Sequence, residues 1–177
     1  MSGRIGLALA GLALLVLCGP VLVACGGTSL PEPEPCVAPT PTPTPRPERD
    51  EAFRGFVYYR TVERGVAALA EELATFRARW PGDTFYRNPD FRPEFVRYAG
   101  RAACLIRDLQ ALPVPQASPR FVEFAARVRP LLAQYAEELE AGREAVRQRN
   151  TSKYRAWARA TDALAVQLDE AISSAAQ

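Results

Sequence analysis

Histidine is absent from the 177-residue chain, lysine occurs once, at Lys153, and methionine once, at Met1. The first absence removes the commonest general base and the commonest metal ligand together. It excludes a Ser-His-Asp triad and leaves only a serine–lysine pair, Ser152 with Lys153, set in a turn. The di-iron bundle signature, which needs His three residues after Glu, is missing as well. With Met1 at the head of an apolar leader, neither His nor Met remains to ligate a haem. Glycine-rich phosphate loops are absent, and no segment alternates polar and apolar residues with the period of a strand. The acidic runs Glu71–Glu72 and Glu137, Glu138 and Glu140 read as solvated helix faces. No catalytic residue, cofactor or metal is expected, so the chain reads as a non-enzymatic protein. Charge balance adds little: 22 basic residues, all but Lys153 being Arg, face 20 acidic ones, which gives no reason to expect nucleic acid.

What is present begins at the N-terminus. A short basic stretch ending at Arg4 precedes "IGLALAGLALLVLCGPVLVA", Ile5 to Ala24, and small residues then surround Cys25. This is the layout of a secretory signal. A retained transmembrane helix is the rival, since 20 residues just span a bilayer, although Gly19 and Pro20 interrupt the run. Leu22, Val23, Ala24 and Cys25 stand in the order of a lipobox, whereas Cys18 follows Leu17, which is too large for the position before a cut. In these residues the chain resembles bacterial lipoprotein precursors. The resemblance implies a signal peptide over residues 1–24, removed on processing, with diacylglyceryl on the Cys25 thiol and further acylation (palmitate) at the new amino terminus. Two or three such chains make a stable anchor. The expected location is the cell membrane, lipid-anchored, on its extracytoplasmic side.

Residues 25–49 form the next unit, with alternating prolines from Pro31 onward ending in "PTPTPTP". Each proline ring fixes φ and removes a donor, so neither helix nor sheet is open to this segment. It reads as a stalk, and some twenty residues at the polyproline rise would hold a domain on the order of 60 Å from the bilayer.

Residues 50–177 carry apolar side chains at helical spacing. Val62, Val66, Leu69, Leu73, Phe76 and Trp80 form one stripe, extended backwards by Phe53, Phe56 and Tyr59. Phe95, Ala99, Ala102, Ile106, Leu109 and Leu112 form a second, and Phe121, Phe124, Val128, Leu132, Tyr135, Leu139 and Val146 a third. The fourth holds Tyr154, Trp157, Thr161, Leu164, Leu168 and Ala171 or Ile172. Helices are expected at about 50–79, 93–112, 119–147 and 152–175, with Ser118 as an N-cap, Pro119 at the first helical position, and Pro130 kinking or breaking the third. The fold class is all-α, an antiparallel up-down-up-down four-helix bundle.

Cys104 falls off the second stripe, among Gly100, Arg101, Arg107 and Asp108. An exposed free thiol outside the cytoplasm is reactive. Cys36 lies about a dozen extended residues before helix one, a reach on the order of 35 Å, so a Cys36–Cys104 disulfide is geometrically open; two free thiols are the alternative. In a bundle of this topology the turn after helix one and the turn between helices three and four share the end far from the membrane. Residues 77–98 and 143–159 place eleven basic against four acidic residues there. The candidate partner-binding residues are Arg87, Arg92, Arg149, Lys153, Arg155 and Arg159, with Tyr86 and Phe91 offering aromatic faces. The expected partner is an anionic envelope polymer, lipid headgroup or acidic protein. A structural or assembly subunit of an envelope complex, and an enzyme or carrier with no readable site, stay open as alternatives.

Overall fold

The computed structural model describes residues 30, 32, 35–36, 51–82 and 87–176. Four helices follow in order: α1 Glu51–Arg79, α2 Phe91–Ala111, α3 Pro119–Arg147 and α4 Thr151–Ala176. Among the described residues there is no strand, and no helix is long and apolar enough to cross a membrane. The expected signal peptide, Cys25, most of the expected stalk and Tyr86 lie outside the described residues.

Side-chain pairings fix the topology. Tyr59 Oη near the start of α1 donates to the Ile172 carbonyl near the end of α4, while Arg77 at the end of α1 reaches Asp162 in the first half of α4. Glu72 of α1 pairs with Arg101 in the middle of α2, and Arg127 of α3 donates to Ser174 Oγ of α4. Sequential helices therefore run antiparallel, and the up-down-up-down bundle follows. All four stripes turn inward, with Val62, Leu69, Phe95, Ala102, Ile106, Phe124, Leu132, Leu139, Trp157 and Leu168 each at most 2 % exposed. An aromatic cluster fills the core toward the end that holds the α1–α2 and α3–α4 connections: Phe76 stacks on Tyr98 at 4.8 Å, and Phe95 meets Trp157 edge-on at 5.1 Å. Tyr98 and Tyr135 share a buried hydroxyl contact of 3.3 Å, which satisfies two polar groups that would be costly to bury alone.

One sequence expectation is corrected here, one is borne out and one alternative is removed. Phe53 and Phe56 do not extend the core stripe: they are 47 % and 58 % exposed, and Gly55 and Tyr58 take the inward positions instead. The Phe121 ring occupies the space beside Gly55 that any β-carbon would need. Ser118 stands at the N-cap of α3, but its hydroxyl makes no capping bond. Of the two readings of Pro130, a kink or a break, the break is removed: α3 runs unbroken through it, and Pro130 and Ala126 are both exposed.

Cys36 and Cys104 are bridged, with their Cα atoms 5.4 Å apart. Both residues are half-buried, so Cys104 is not an exposed free thiol. Leu30 is partly buried against the core cluster. The segment before α1 thus meets the bundle at two points, at Leu30 on the core cluster and at Cys36 on the flank of α2.

Candidate functional site

The two turns at one end of the bundle are shaped by local chemistry. At α3–α4, the Arg149 N–H bonds the Val146 carbonyl and the Asn150 N–H bonds the Ala145 carbonyl, a Schellman closure with Arg149 at φ 51°. Glycine is the usual residue for that left-handed position. Asn150 Oδ1 then accepts the Lys153 N–H at 3.0 Å and caps α4. At α1–α2, Gly82 takes φ 78° after Pro81, and the Asn88 side chain accepts the Asp90 N–H.

Between these turns α1 and α4 are latched by Arg77. Its guanidinium donates to the Ala158 carbonyl at 2.7 Å and to Thr161 Oγ1 at 3.1 Å, pairs with Asp162 at 3.2 Å, and lies 5.4 Å from the Trp157 ring. Thr161, fully buried, donates in turn to its own helix at the Trp157 or Ala158 carbonyl. Glu94 performs the same service on the other side of the end: it accepts Trp80 Nε1 at 2.9 Å and pairs with Arg79 at 2.7 Å and Arg97 at 3.5 Å.

A groove of about 690 Å³ opens beside the Arg77–Asp162 bridge. Tyr154, only 4 % exposed, lies beneath it; Trp80, Pro81 and Gly82 line it from the α1 end, and Arg155 and Arg159 from α4. Burial pushes the Tyr154 phenol up to about 12, against the pull of Arg77, so the ring stays neutral near neutral pH. Arg155 and Arg159 are exposed and one helical turn apart, a like-charged pair that α4 holds together at a cost. Arg77 and Asp162 cancel within the groove lining. A second groove, about 310 Å³ and lined by Phe56, Tyr59, Arg60, Arg120 and Phe121, lies at the opposite end.

The structure gathers only part of the residues singled out from the sequence. Arg155 and Arg159 share the groove; Arg149 and Lys153 sit at the adjoining turn, where Lys153 Nζ donates to Gln148 Oε1 at 2.9 Å. Arg87 is exposed just ahead of α2, and Arg92 is half-buried in its first turn, both engaged in contacts of their own. Phe91 is a correction. It is 0 % exposed, because α2 begins two residues earlier than the periodicity suggests and turns the ring into the core, edge-on to Trp80 and Tyr154. It has no face for a ligand. Tyr86 is outside the described residues. The basic surplus also shrinks, since Glu140 and Asp162, beyond the two windows of sequence considered, pair with Arg143 and Arg77. Arg147 and Glu144 pair within α3, and that contact holds the Glu144 carboxyl below the usual range.

Sequence reasoning missed the latch and the groove floor. Arg77 reads as a cation suited to a helix C-terminus, and Tyr154 as core, because their partners stand more than 60 residues away in the chain. No three His, Cys, Asp or Glu side chains converge as a metal site among the described residues. Comparison of the chain with known protein families, characterised proteins and solved structures finds no match.

Proposed function

We propose that this chain is a membrane-anchored extracytoplasmic lipoprotein, lipidated at Cys25, whose helical bundle is a non-enzymatic binding module for an anionic partner. The anchor reading rests on the order Leu22, Val23, Ala24, Cys25 after an apolar leader. One observation carries the binding reading: Arg155 and Arg159 line a groove beside Trp80 and over Tyr154. A guanidinium pair over an aromatic floor suits a carboxylate, phosphate or sulfate group borne on a polymer, lipid headgroup or protein.

Binding of dextran sulfate as a probe polyanion, titrated across a salt series, tests the reading. Arg155→Glu with Arg159→Glu should weaken binding at least tenfold with helicity unchanged, and wild-type affinity should fall as salt rises. Affinity that ignores both the substitutions and the salt removes the case for this groove.

A further inference from the structure

The disulfide changes what the proline-rich segment does. On the reading that Cys25 is lipidated, which this inference takes as its premise, the unbridged chain has 26 residue steps from the lipid to the start of α1 at Glu51. At the polyproline rise that is a reach of about 80 Å. The bridge from Cys36 to Cys104 attaches the chain instead to the flank of α2, seven residues short of the helix end at Ala111. Only eleven residue steps then lead from lipid to bundle, a reach of about 34 Å. Leu30, packed partly against the core cluster, takes up part of that length too. The fifteen residues from Cys36 to Glu51, including "PTPTPTP", become a loop closed at both ends on the bundle and contribute nothing to reach.

We infer that the Cys36–Cys104 disulfide is a redox-set tether: oxidised, it holds the bundle and its basic groove close over the anchoring bilayer; reduced, it lets the bundle out on the full stalk. The switching step needs a dithiol reductant. Its thiolate attacks one sulfur of the bridge, a mixed disulfide forms, and the reductant's second thiol displaces the remaining cysteine. Two electrons and two protons pass to the protein, which gains two thiols, and the reductant leaves as its own disulfide. Neither Cys36 nor Cys104 belongs to the buried core, so the bundle stays folded in both states.

Lys153 makes the test simple, being the one lysine of the chain and exposed at the groove end. The lipidated protein, labelled there with an amine-reactive donor, is placed in neutral phosphatidylcholine vesicles carrying acceptor-labelled lipid. A Lys153→Arg protein reports any dye on the amino terminus. Energy transfer should fall at least twofold on reduction, and Cys36→Ser/Cys104→Ser should show the low value with or without reductant. Equal transfer in oxidised and reduced wild type overturns the inference. A second measurement needs no lipid: small-angle scattering of residues 26–177, which hold the whole bundle and both cysteines, should give a larger maximum dimension after reduction. An unchanged dimension sinks the tether, whereas absence of lipid on the native Cys25 sinks the anchoring reading alone.

Discussion

Reducing the disulfide should destabilise the bundle only slightly, and the amount distinguishes two pictures of the linker. In the unfolded chain the bridge closes a loop with a sequence separation of 68 residues, which polymer entropy values at about 4.4 kcal/mol. That whole figure would appear if Cys36 kept its place against α2 without the bridge. If Cys36 is instead held only by the fifteen residues leading to Glu51, the folded state also gains freedom on reduction. The cost of closure grows as (3/2)RT ln n, so the difference between loops of 68 and 15 residues is about 1.3 kcal/mol. Urea unfolding followed by far-ultraviolet circular dichroism, with and without reductant, reads this as a midpoint shift of about 1 M at unchanged slope. A loss near 4 kcal/mol would show that the segment stays docked when reduced and would refute the tether. No loss at all would refute the bridge.

Further predictions bear on the core and on the groove end. Gly142→Ala should destabilise the protein by about 1–3 kcal/mol despite the gain in helix propensity, because a β-carbon there would lie 2.7 Å from Trp157 Nε1 and 2.9 Å from Phe95; thermal unfolding checks it, and a stabilised variant would contradict the packing described. Arg77→Ala should cost about 1–3 kcal/mol by leaving Thr161 and Ala158 without their donor, whereas Asp162→Asn should cost under about 1 kcal/mol because that carboxylate is exposed. Arg149→Gly should raise stability by about 1 kcal/mol, as the turn needs φ 51° there; a lower midpoint would deny the strain. Burial raises Tyr58, Tyr98 and Tyr135 and pushes Tyr154 up to about 12. Their folded forms hold the phenolic proton more tightly than the unfolded chain does. The stability Tyr154 contributes is thus complete below pH about 10 and is lost as pH climbs from there through about 12, and the other three lose theirs in the same direction. Tyrosinate absorbance should rise in step with loss of helicity over that range, and buried tyrosines ionising near 10 with helicity intact would contradict their burial.

The fold was readable because each helix advertises its inner face through large apolar side chains. Val62 to Phe76, Phe95 to Leu109 and Tyr154 to Ile172 are buried where their spacing puts them. The errors fall where that signal is silent or doubled. Gly55 faces the core but has no side chain to announce it, so the conspicuous Phe53 and Phe56 took its place in the pattern. Phe91 was displaced by a helix start two residues early, at a turn whose geometry depends on Asn88 and Asp90 rather than on periodicity. The groove was harder still. Arg155 and Arg159 stood out as cations in the first half of α4, but what gathers them in one groove is the packing beside them of Trp80, 75 residues or more away in the chain. Pairing across a bundle is decided by how helices pack, and charge counted along the chain does not see it. The disulfide was legible as a geometric option because Cys104 sat off its stripe; its effect on tether length required knowing where along α2 the bridge lands.

Intact mass of the protein extracted from native membranes, measured with and without reductant, tests the account at its base. The account predicts a chain from Cys25 to Gln177 carrying a diacylglyceryl adduct, alone or with one further acyl chain, that becomes heavier by two hydrogens on reduction. A chain still beginning at Met1 with Cys25 unmodified would contradict the anchor, and a mass unmoved by reductant would contradict the bridge on which the tether depends.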